Sequence, residues 1–397
     1  MQDCYLDTLK KSSCCGCKVC ASVCSKKAIS FNFDEEGFWY PQIDELKCIH
    51  CNMCHAVCPF SEDELSTIID ENQTYAAYAK SEDVLKRSAS GGVFSVLSDV
   101  IIEEGGTVFG HIYDEKCRAV CVSAKTKDER NRMCGSKYVQ SDMKDIYSEI
   151  KSAVKTEKMV LFTGTPCQVE AVNNYFKKNI PENLITVGLI CHGVPSPKIF
   201  SEYIALEEKK SKKQIKEVIF RGKGKGWTMP LREFHYLDGS FAAKLLNADA
   251  FNNLFLGTDC ILRPSCFECR YAGKKRIEDI TIADFWGIQN KHPEMFNDNK
   301  GVSVMLVNTD KGKKLFSKCK NNFITKQVPL FDAQEGNTPL KHPSVPFRFR
   351  NRVFEEYKKH GAGFILKKYI YRRIIISSLP VRAIRKILRI AGGGLKK

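Results

Sequence analysis

Residues 14–24 read CCGCKVCASVC, and residues 48–58 read CIHCNMCHAVC. Both stretches carry four cysteines at the spacing C-x2-C-x2-C-x3-C, and only Cys15 of the first stretch falls outside this pattern. The first three cysteines of each stretch are close enough to bind one metal group from a single loop. The doubled spacing therefore indicates two metal centres of the same kind.

This spacing is typical of two-cluster ferredoxins, in which the fourth cysteine of each run ligates the other [4Fe–4S] cluster. Structural zinc is the alternative, because C-x2-C pairs also form tetrahedral zinc sites. Zinc needs only four ligands per ion, so a doubled run with an exchanged fourth ligand favours iron–sulfur clusters. The predicted ligands are Cys14, Cys17, Cys20 and Cys58 for one cluster, and Cys48, Cys51, Cys54 and Cys24 for the second.

The number of cysteines bears on the cellular compartment. The chain has 397 residues, enough for two or three domains, and 19 of them are cysteines. Disulfides would require a secretory context. Residues 1–13 contain no apolar signal core, and no stretch reaches the length of a membrane-spanning helix. We therefore predict a reduced, cytoplasmic protein.

The formal net charge of +16 is unevenly distributed. Ten Lys or Arg and no Asp or Glu lie between Gly361 and Lys397, which leaves +6 for the rest of the chain. Clusters held by thiolates would offset this remainder further. The body of the protein is thus close to neutral, and nucleic acid is not an expected partner.

The basic C-terminal tail, residues 336–397, contains a predicted amphipathic helix from Pro380 to Ala391. Apolar residues fall on one face, with Arg and Lys opposite, which suits an anionic membrane surface. We predict peripheral contact with the inner face of the cell membrane. Packing against its own domain and contact with RNA are the alternatives. The apolar positions are Ile384, Ile387, Leu388 and Ala391.

The remaining sequence divides the chain further. Ala28–Gln42 alternates apolar and polar residues around a turn, which predicts a hairpin between the two cysteine runs. From Tyr75 onward, apolar runs end in Gly or Pro turns before helices, a pattern typical of buried, largely parallel strands. The predicted segments are 1–60 for the cluster domain, 61–74 for a linker, 75–335 for an α/β domain and 336–397 for the tail.

Five cysteines outside the doubled run fall at predicted strand ends or in one loop: Cys167, Cys191, Cys260, Cys266 and Cys269. Ligands in open α/β sheets bind at strand ends, and the last two cysteines form a C-x2-C pair. A third cluster gathered from these positions is one interpretation. Buried cysteines with a fortuitous pair are the other.

Two further stretches could bind an anionic cofactor. Ser90–Gly92 precedes a predicted helix, whose free N–H groups and dipole favour an anion, and glycine allows close backbone approach. Arg221–Trp227 combines cations, glycines and an aromatic ring that could stack on a ligand. An ordinary helix start and a solvated basic loop are the alternatives.

Six ordered motifs between about Tyr75 and Phe331 carry a family resemblance. They are Ser90, Gly91 and Gly92; Gly135, Ser136, Lys137 and Tyr138; Pro166, Cys167 and Gln168; Cys191; Gly222, Lys223, Gly224 and Lys225 before Trp227; and Cys266 with Cys269. In these motifs the chain resembles the beta subunit of coenzyme F420 hydrogenases and dehydrogenases and related flavoproteins such as the plant chlorophyll-cycle reductases. Many members also carry an N-terminal ferredoxin module.

The resemblance implies a fold class: an α+β ferredoxin-like N-terminal module followed by an α/β flavoprotein domain. It also implies non-covalently bound FAD, lined by the glycine and lysine motifs just named. A third [4Fe–4S] cluster would be held by Cys167, Cys191, Cys266 and Cys269, with Cys260 as an alternative ligand.

The implied activity is that of an iron–sulfur flavoprotein oxidoreductase. Electrons from a ferredoxin or other redox carrier would enter the N-terminal clusters and pass through the third cluster to FAD and an organic substrate. His192 and Lys137 are the candidate acid/base residues. The alternative is an electron-transfer subunit that feeds a partner enzyme and has no substrate of its own.

One stretch points to a particular branch of the family. Ile280–Gly287, with Asp284, Phe285 and Trp286, looks like the variant of bacterial members associated with cell-surface polysaccharide gene clusters. Such bacteria often lack coenzyme F420, so the resemblance leaves the substrate open.

Overall fold

A computed structural model describes residues 4–61, 73–177 and 179–378 of the chain, with side chains described as far as residue 369. Most of the predicted linker and the predicted tail helix Pro380–Ala391 lie outside the described residues. We call residues 4–61 the cysteine module and residues 73–378 the body.

The cysteine module consists of three short helices and one hairpin. The hairpin strands pair antiparallel from Ile29 with Ile43 to Phe33 with Trp39, which confirms the predicted hairpin. Its elements are α1 (Tyr5–Thr8), α2 (Val19–Ser22), β1 (Ile29–Phe33), β2 (Trp39–Ile43) and α3 (Met53–Ala56).

The doubled cysteine spacing is repeated in the backbone. Gly16 and His50, which precede the second cysteine of each run, have φ angles of 70° and 51°. Lys18 and Asn52, which follow that cysteine, have φ angles of 67° and 58°. Positive φ is uncommon for residues other than glycine. The two runs therefore fold into the same loop, and a short helix, α2 or α3, begins immediately after each.

An eight-stranded sheet forms the centre of the body, in the spatial order β13-β3-β12-β11-β7-β6-β4-β5. Its strands are β3 (Thr74–Ala79), β4 (Thr107–Tyr113), β5 (Ala119–Ala124), β6 (Val160–Gly164), β7 (Leu184–Leu189), β11 (Ile280–Asp284), β12 (Ser303–Val307) and β13 (Phe323–Gln327).

The expectation of a largely parallel sheet is wrong at both edges. β4, β6, β7 and β11 are parallel neighbours in the centre. β5 pairs antiparallel with β4 at one edge, and β12, β3 and β13 pair antiparallel at the other. β4 and β5 are joined by five residues, and such a short turn can connect only antiparallel strands, because a parallel pair needs a long crossover.

A second sheet was not predicted from the sequence. It contains β8 (Ile215–Gly222), β9 (Leu231–Tyr236) and β10 (Phe241–Leu245), all antiparallel. This sheet packs with three helices in an aromatic core that includes Phe200, Phe220 and Phe251. Arg221 and Gly222 thus end strand β8, so the alternative interpretation of Arg221–Trp227 as a solvated basic loop fails for these two residues.

Eleven described helices surround these sheets in the body. The last one brings Val353, Phe354 and Ile365 into the aromatic core, so part of the predicted tail packs within the body. None of the described helices is both long and apolar enough to span a membrane. The helices are α4 (Glu82–Arg87), α5 (Val93–Glu103), α6 (Lys127–Asn131), α7 (Ile146–Val154), α8 (Pro166–Tyr175), α9 (Pro197–Ser211), α10 (Ala250–Phe255), α11 (Ile288–Lys291), α12 (Asp310–Cys319), α13 (Leu330–Gly336) and α14 (Arg350–Ser378).

Candidate metal centres and flavin site

The first predicted ligand set lines one cavity of the cysteine module, which we call the first cavity. Its lining includes Cys14, Cys17, Cys20 and Cys58. The fourth cysteine of the second run thus lies with three cysteines of the first, as the exchanged pattern predicts. The amide of Gly16 donates to the Cys14 Sγ at 3.3 Å, the kind of hydrogen bond that tunes a ligating sulfur.

The second predicted set is Cys48, Cys51, Cys54 and Cys24. Burial raises the pKa of Cys54, and the nearby Cys4 and Cys48 add to this rise. Cys51 is exposed, and the amide of Ala28 donates to the Cys24 Sγ at 3.3 Å. The grouping of Cys24 with the other three cysteines stays a prediction.

The main sheet brings the third predicted ligand set together. β6 and β7 are parallel neighbours, so their carboxyl ends meet at the same edge. Cys167 lies in the first turn of α8, directly after β6, and Cys191 follows β7 by two residues. A 3₁₀ turn, Pro264–Cys266, places Cys266 opposite them, and the amide of Val194 donates to its Sγ at 3.4 Å. These cysteines and Cys269 line a second cavity.

The electrostatics of the second cavity disfavour free thiolates. Burial raises the pKa of Cys266 to about 12 and that of Cys269 to about 11, with further contributions from neighbouring cysteines. Burial and the nearby Cys266 raise the pKa of Cys191 well above its usual value. A hydrogen bond with Cys15, followed by burial, does the same for Cys167. Because a coordinated thiol is deprotonated outright, this donor set suits a metal cluster.

Two buried arginines line the second cavity. Arg263 is 0% exposed and Arg276 is 2% exposed. The Arg276 guanidinium donates to the carbonyl oxygens of Tyr271 and Gly273 at 2.7 and 2.6 Å, and its Nε has no partner. Arg276 lies 3.8 Å from the buried Glu278 carboxylate, whereas Arg263 forms no ion pair with the described residues. The Arg263 charge at a site with four thiols fits an anionic cluster, because buried charges need compensation.

Cys260 does not line the second cavity. It is fully buried in the aromatic core, where its Sγ accepts a hydrogen bond from the Thr258 hydroxyl at 3.1 Å. The Cys260 thiol also contacts the Leu254 carbonyl oxygen at 3.4 Å. This placement favours the ligand set without Cys260.

His192 does line the second cavity, next to Cys191. Its Nε2 lies 2.6 Å from the Asp259 carboxylate, and its carbonyl oxygen accepts a hydrogen bond from the Ser344 hydroxyl. The ring is therefore held in place by a carboxylate. This arrangement orients the strand end that carries Cys191.

The two cavities share a wall. Cys15 and Phe60 line both of them. The loop between Cys266 and Cys269 also contacts the cysteine module directly, since Glu268 binds Lys10 at 2.9 Å and the Ser12 hydroxyl at 3.1 Å. The first and third predicted clusters would therefore be neighbours.

Sequence reasoning missed two residues of the second cavity, Cys15 and Arg263. Cys15 carried a signal, because it is an additional cysteine in an otherwise regular run. The sequence around Arg263 gave no signal of its role. Arg263 lies far along the chain from the carbonyl oxygens that it binds, those of Cys14 at 2.6 Å and Trp39 at 3.0 Å.

The glycine and lysine motifs also meet in the fold. The Lys223 Nζ donates to the carbonyl oxygens of Leu85 and Ser90 at 2.9 and 2.8 Å, which joins the end of β8 to the start of α5. The loop that contains Gly135, Ser136 and Lys137 lies close by, because Ser95 of α5 contacts the Cys134 Sγ at 3.3 Å. The Tyr138 ring packs edge-on against Phe220 of β8, with ring centroids 5.5 Å apart.

Packing already explains two of these residues. The Ser90 hydroxyl donates to the Val302 carbonyl oxygen at 2.8 Å, and the Gly91 amide donates to the Ser303 hydroxyl at 3.0 Å. A Cβ on Gly91 would lie 2.4 Å from the Ala77 carbonyl oxygen, so only glycine fits. Gly92, with φ of +83°, caps α5 without a side-chain hydrogen bond, which leaves that helix start open to an anion.

Lys137 and Lys223 are partly buried cations whose hydrogen-bond acceptors, among the described residues, are backbone carbonyl oxygens, four for Lys137 and three for Lys223. The Lys137 Nζ donates to the carbonyl oxygens of Met133 and Cys134 at 2.8 and 2.7 Å. Burial lowers the pKa of each lysine to about 8. Neither forms an ion pair with any part of the chain that the structure describes. An anionic group such as a phosphate would supply the missing charge.

The aromatic ring of Trp227 is occupied within the protein. Trp227 is fully buried and stacks on Trp286, with ring centroids 5.0 Å apart and ring planes 2° from parallel. Its Nε1 donates to Asp284 at 2.7 Å, and the same carboxylate binds Arg221. Trp227 therefore joins β8 to β11, and the suggested stacking on a ligand would have to use another ring.

Two family models match separate parts of the chain. Residues 13–61 match the 4Fe-4S dicluster domain, so the chain is an iron–sulfur protein with a ferredoxin-type N-terminal module. Residues 157–330 match the family model described as the C terminus of the coenzyme F420 hydrogenase/dehydrogenase beta subunit. The resemblance drawn from the sequence motifs is confirmed.

One solved structure that resembles the chain is the F420-reducing [NiFe] hydrogenase complex from Methanosarcina barkeri, determined as a xenon derivative. The similarity to one chain of that complex has a TM-score of 0.46 at 19% identity, and it covers 75% of this chain and 96% of that one. No curated protein matches the chain.

Proposed function

We propose that the protein is an iron–sulfur flavoprotein oxidoreductase that passes electrons between a ferredoxin-type carrier and an organic substrate. The observation that carries this proposal is the convergence of Cys167, Cys191, Cys266 and Cys269 in a cavity that shares a wall with the first cavity. Three [4Fe–4S] clusters would then form a continuous path from the cysteine module into the body.

The body would complete this path with a bound flavin, for which FAD is our proposal. A flavin, when bound, exchanges electron pairs with organic molecules and single electrons with clusters. Lys137, Lys223 and the uncapped start of α5 would hold its phosphates. A phosphate would balance the positive charges of these lysines, which form no ion pair with the described residues.

Replacing Lys223 by glutamine is expected to lower the flavin content of the purified protein at least about tenfold, since a lost charge-assisted phosphate contact costs roughly 1.5–3 kcal/mol. Released flavin per chain, measured after denaturation, checks this. Lys216→Gln is the matched control, because Lys216 lies exposed on β8, the strand that Lys223 directly follows. Equal flavin content in both variants would contradict the assignment of Lys223.

The two acid/base candidates, His192 and Lys137, lie at different sites in this proposal. His192 is bound to Asp259 at the second cavity, where it would orient the cluster ligands. Lys137 belongs to the glycine and lysine motifs that would line the flavin, where we assign it to the phosphates. Of the two candidates, only Lys137 therefore lies at the proposed flavin site.

A second candidate function is that of an electron-transfer subunit in a redox complex. The observation that favours it is the set of large apolar side chains that the cysteine module exposes. Phe33, Leu46 and Ile49 are 47%, 99% and 57% exposed, and Ile49 is adjacent to the predicted ligand Cys48. Exposed apolar groups beside a redox centre suit a docking partner.

Reduction of the isolated chain distinguishes the two functions. The anaerobic protein would be reduced with a chemically reduced ferredoxin and then mixed with candidate organic acceptors. Reoxidation of the flavin by an acceptor supports the oxidoreductase. If no acceptor reoxidises the flavin unless a second protein is added, the chain is an electron-transfer subunit.

The setting of this activity is also a proposal. The basic tail would bring a cytoplasmic protein to the inner face of the cell membrane, and flotation of the full chain with anionic vesicles tests this contact. A role in cell-surface polysaccharide synthesis rests on the sequence of Ile280–Gly287 alone. Within the fold, Asp284 and Trp286 of this stretch hold Arg221 and Trp227.

A further inference from the structure

Helices α9 and α14 expose apolar side chains next to lysines. Phe364 and Leu206 are 40% and 38% exposed. Lys209 and Lys210 lie one turn after Leu206 on α9, and Lys367 lies one turn after Phe364 on α14. All three lysines are exposed and form no ion pair with the described residues. We call these five residues the α9/α14 surface.

The five residues share one surface because the two helices run side by side. The Glu202 carboxylate of α9 accepts hydrogen bonds from the Tyr357 hydroxyl at 2.7 Å and from the Ala362 amide at 3.1 Å. Further along both helices, Leu206 packs on Gly363, where a Cβ would lie 3.6 Å from both Leu206 methyl carbons. Both helices therefore advance in the same direction, and the three lysines lie together toward the C-terminal end of α14.

Nearby carboxylates do not neutralise these lysines. Glu207 and Glu356 bind other lysines of the body, and the Glu208 carboxylate accepts a hydrogen bond from a backbone amide. Glu355 is exposed, but it precedes the kink of α14 at Gly361. The α9/α14 surface thus combines a net positive charge with exposed apolar groups.

Charge identifies the partner that fits this surface. Residues 370–397 follow it directly in the chain and contain eight Lys or Arg and no Asp or Glu. Like charges would oppose the packing of that segment on the surface. An anionic lipid bilayer fits instead, because its headgroups attract lysines and its interface accepts apolar side chains.

We propose that the α9/α14 surface binds an anionic lipid bilayer, with Phe364 and Leu206 at the headgroup boundary and the three lysines beside lipid phosphates. This inference rests on the proposed location of the protein at the inner face of the cell membrane, and it adds a contact made by the folded body. Two contacts, the surface and residues 370–397, would fix the orientation of the body on the membrane. A single attachment through the chain end would leave the body free to rotate.

The test is flotation of the anaerobically purified full chain with two kinds of vesicle. One kind contains equal parts of phosphatidylcholine and phosphatidylserine, and the other contains phosphatidylcholine alone. Three full-length variants each lose three positive charges: at the surface, in the chain end, or at exposed lysines in and after α7. The substitutions are Lys209→Gln, Lys210→Gln and Lys367→Gln for the surface variant; Arg385→Gln, Lys386→Gln and Arg389→Gln for the chain-end variant; and Lys151→Gln, Lys155→Gln and Lys158→Gln for the control.

The unmodified chain and the control are expected to float with the phosphatidylserine vesicles and to stay in solution with phosphatidylcholine alone. The surface variant should bind the phosphatidylserine vesicles at least about tenfold more weakly, because each basic residue at an anionic surface adds to the affinity. Equal binding of the surface variant and the control would overturn the proposal.

The other variants separate this inference from the proposed membrane location. If the unmodified chain does not float, both fail. If only the chain-end variant binds weakly, the membrane location holds and the α9/α14 surface is not a contact. A second copy of the chain is the competing occupant, which light scattering of Phe364→Ser detects. A dimer that Phe364→Ser makes monomeric, with flotation unchanged, would overturn the proposal.

Discussion

Replacing Cys266 or Cys269 by alanine is expected to lower the iron content of the chain from about twelve to about eight atoms, the loss of one cubane. Both thiols face the second cavity together with Cys167 and Cys191. Cys260 cannot take over without rebuilding the aromatic core in which it is buried.

Iron and acid-labile sulfide in anaerobically purified variants measure this effect. Cys260→Ala is the matched control and is expected to keep about twelve irons. A loss of about four irons in Cys260→Ala would place this residue in the ligand set instead. Retention of about twelve irons in both Cys266→Ala and Cys269→Ala would contradict a cluster at the second cavity.

Replacing Arg263 by methionine is expected to destabilise the protein by about 3 kcal/mol, because two partly buried acceptors and one buried acceptor lose their donor and each costs roughly 1–3 kcal/mol. The guanidinium donates to the Cys14 and Trp39 carbonyl oxygens and to the Gln140 side chain at 2.6, 3.0 and 3.0 Å. It also lies 4.2 Å from the Tyr40 ring centroid. This single side chain thus joins the cysteine module to the body.

Urea unfolding of the anaerobic protein, compared at constant m-value, measures the loss of stability. Arg348→Met, at an exposed arginine, is the control. A destabilisation below about 1 kcal/mol for Arg263→Met, within the range of ordinary substitutions, would contradict a joining role.

Local sequence patterns predicted the parts of the fold that depend on local chemistry. The doubled cysteine spacing anticipated the paired loops, because ligand spacing and the turns that carry it are encoded within a few residues. The hairpin between the two runs was predicted for the same reason, since alternating apolar and polar residues around a turn are a local signal.

Features that depend on distant partners could not be predicted in this way. The strands β8–β10 include exposed positions and glycines, and they become a sheet only against the aromatic core. The edges of the main sheet are antiparallel because of the strands that pair there. The sequence of one strand does not specify its neighbour in the sheet. Arg263 is likewise explained only by acceptors that other parts of the chain supply.

The candidate flavin site lies between these cases. The motifs that contain Lys137 and Lys223 were found from sequence, and the fold brings them close to α5. A sequence specifies the charge of a lysine but not its surroundings. Only the structure shows that, among the described residues, both ammonium groups donate to carbonyl oxygens.

The most direct test of the three-cluster flavoprotein is the iron, acid-labile sulfide and flavin content of the unmodified chain after anaerobic purification. We expect about twelve irons, about twelve sulfides and about one FAD per chain, as three cubanes and one flavin require. About eight irons without flavin would mean that only the cysteine module binds cofactors, and it would contradict the proposed path through the body.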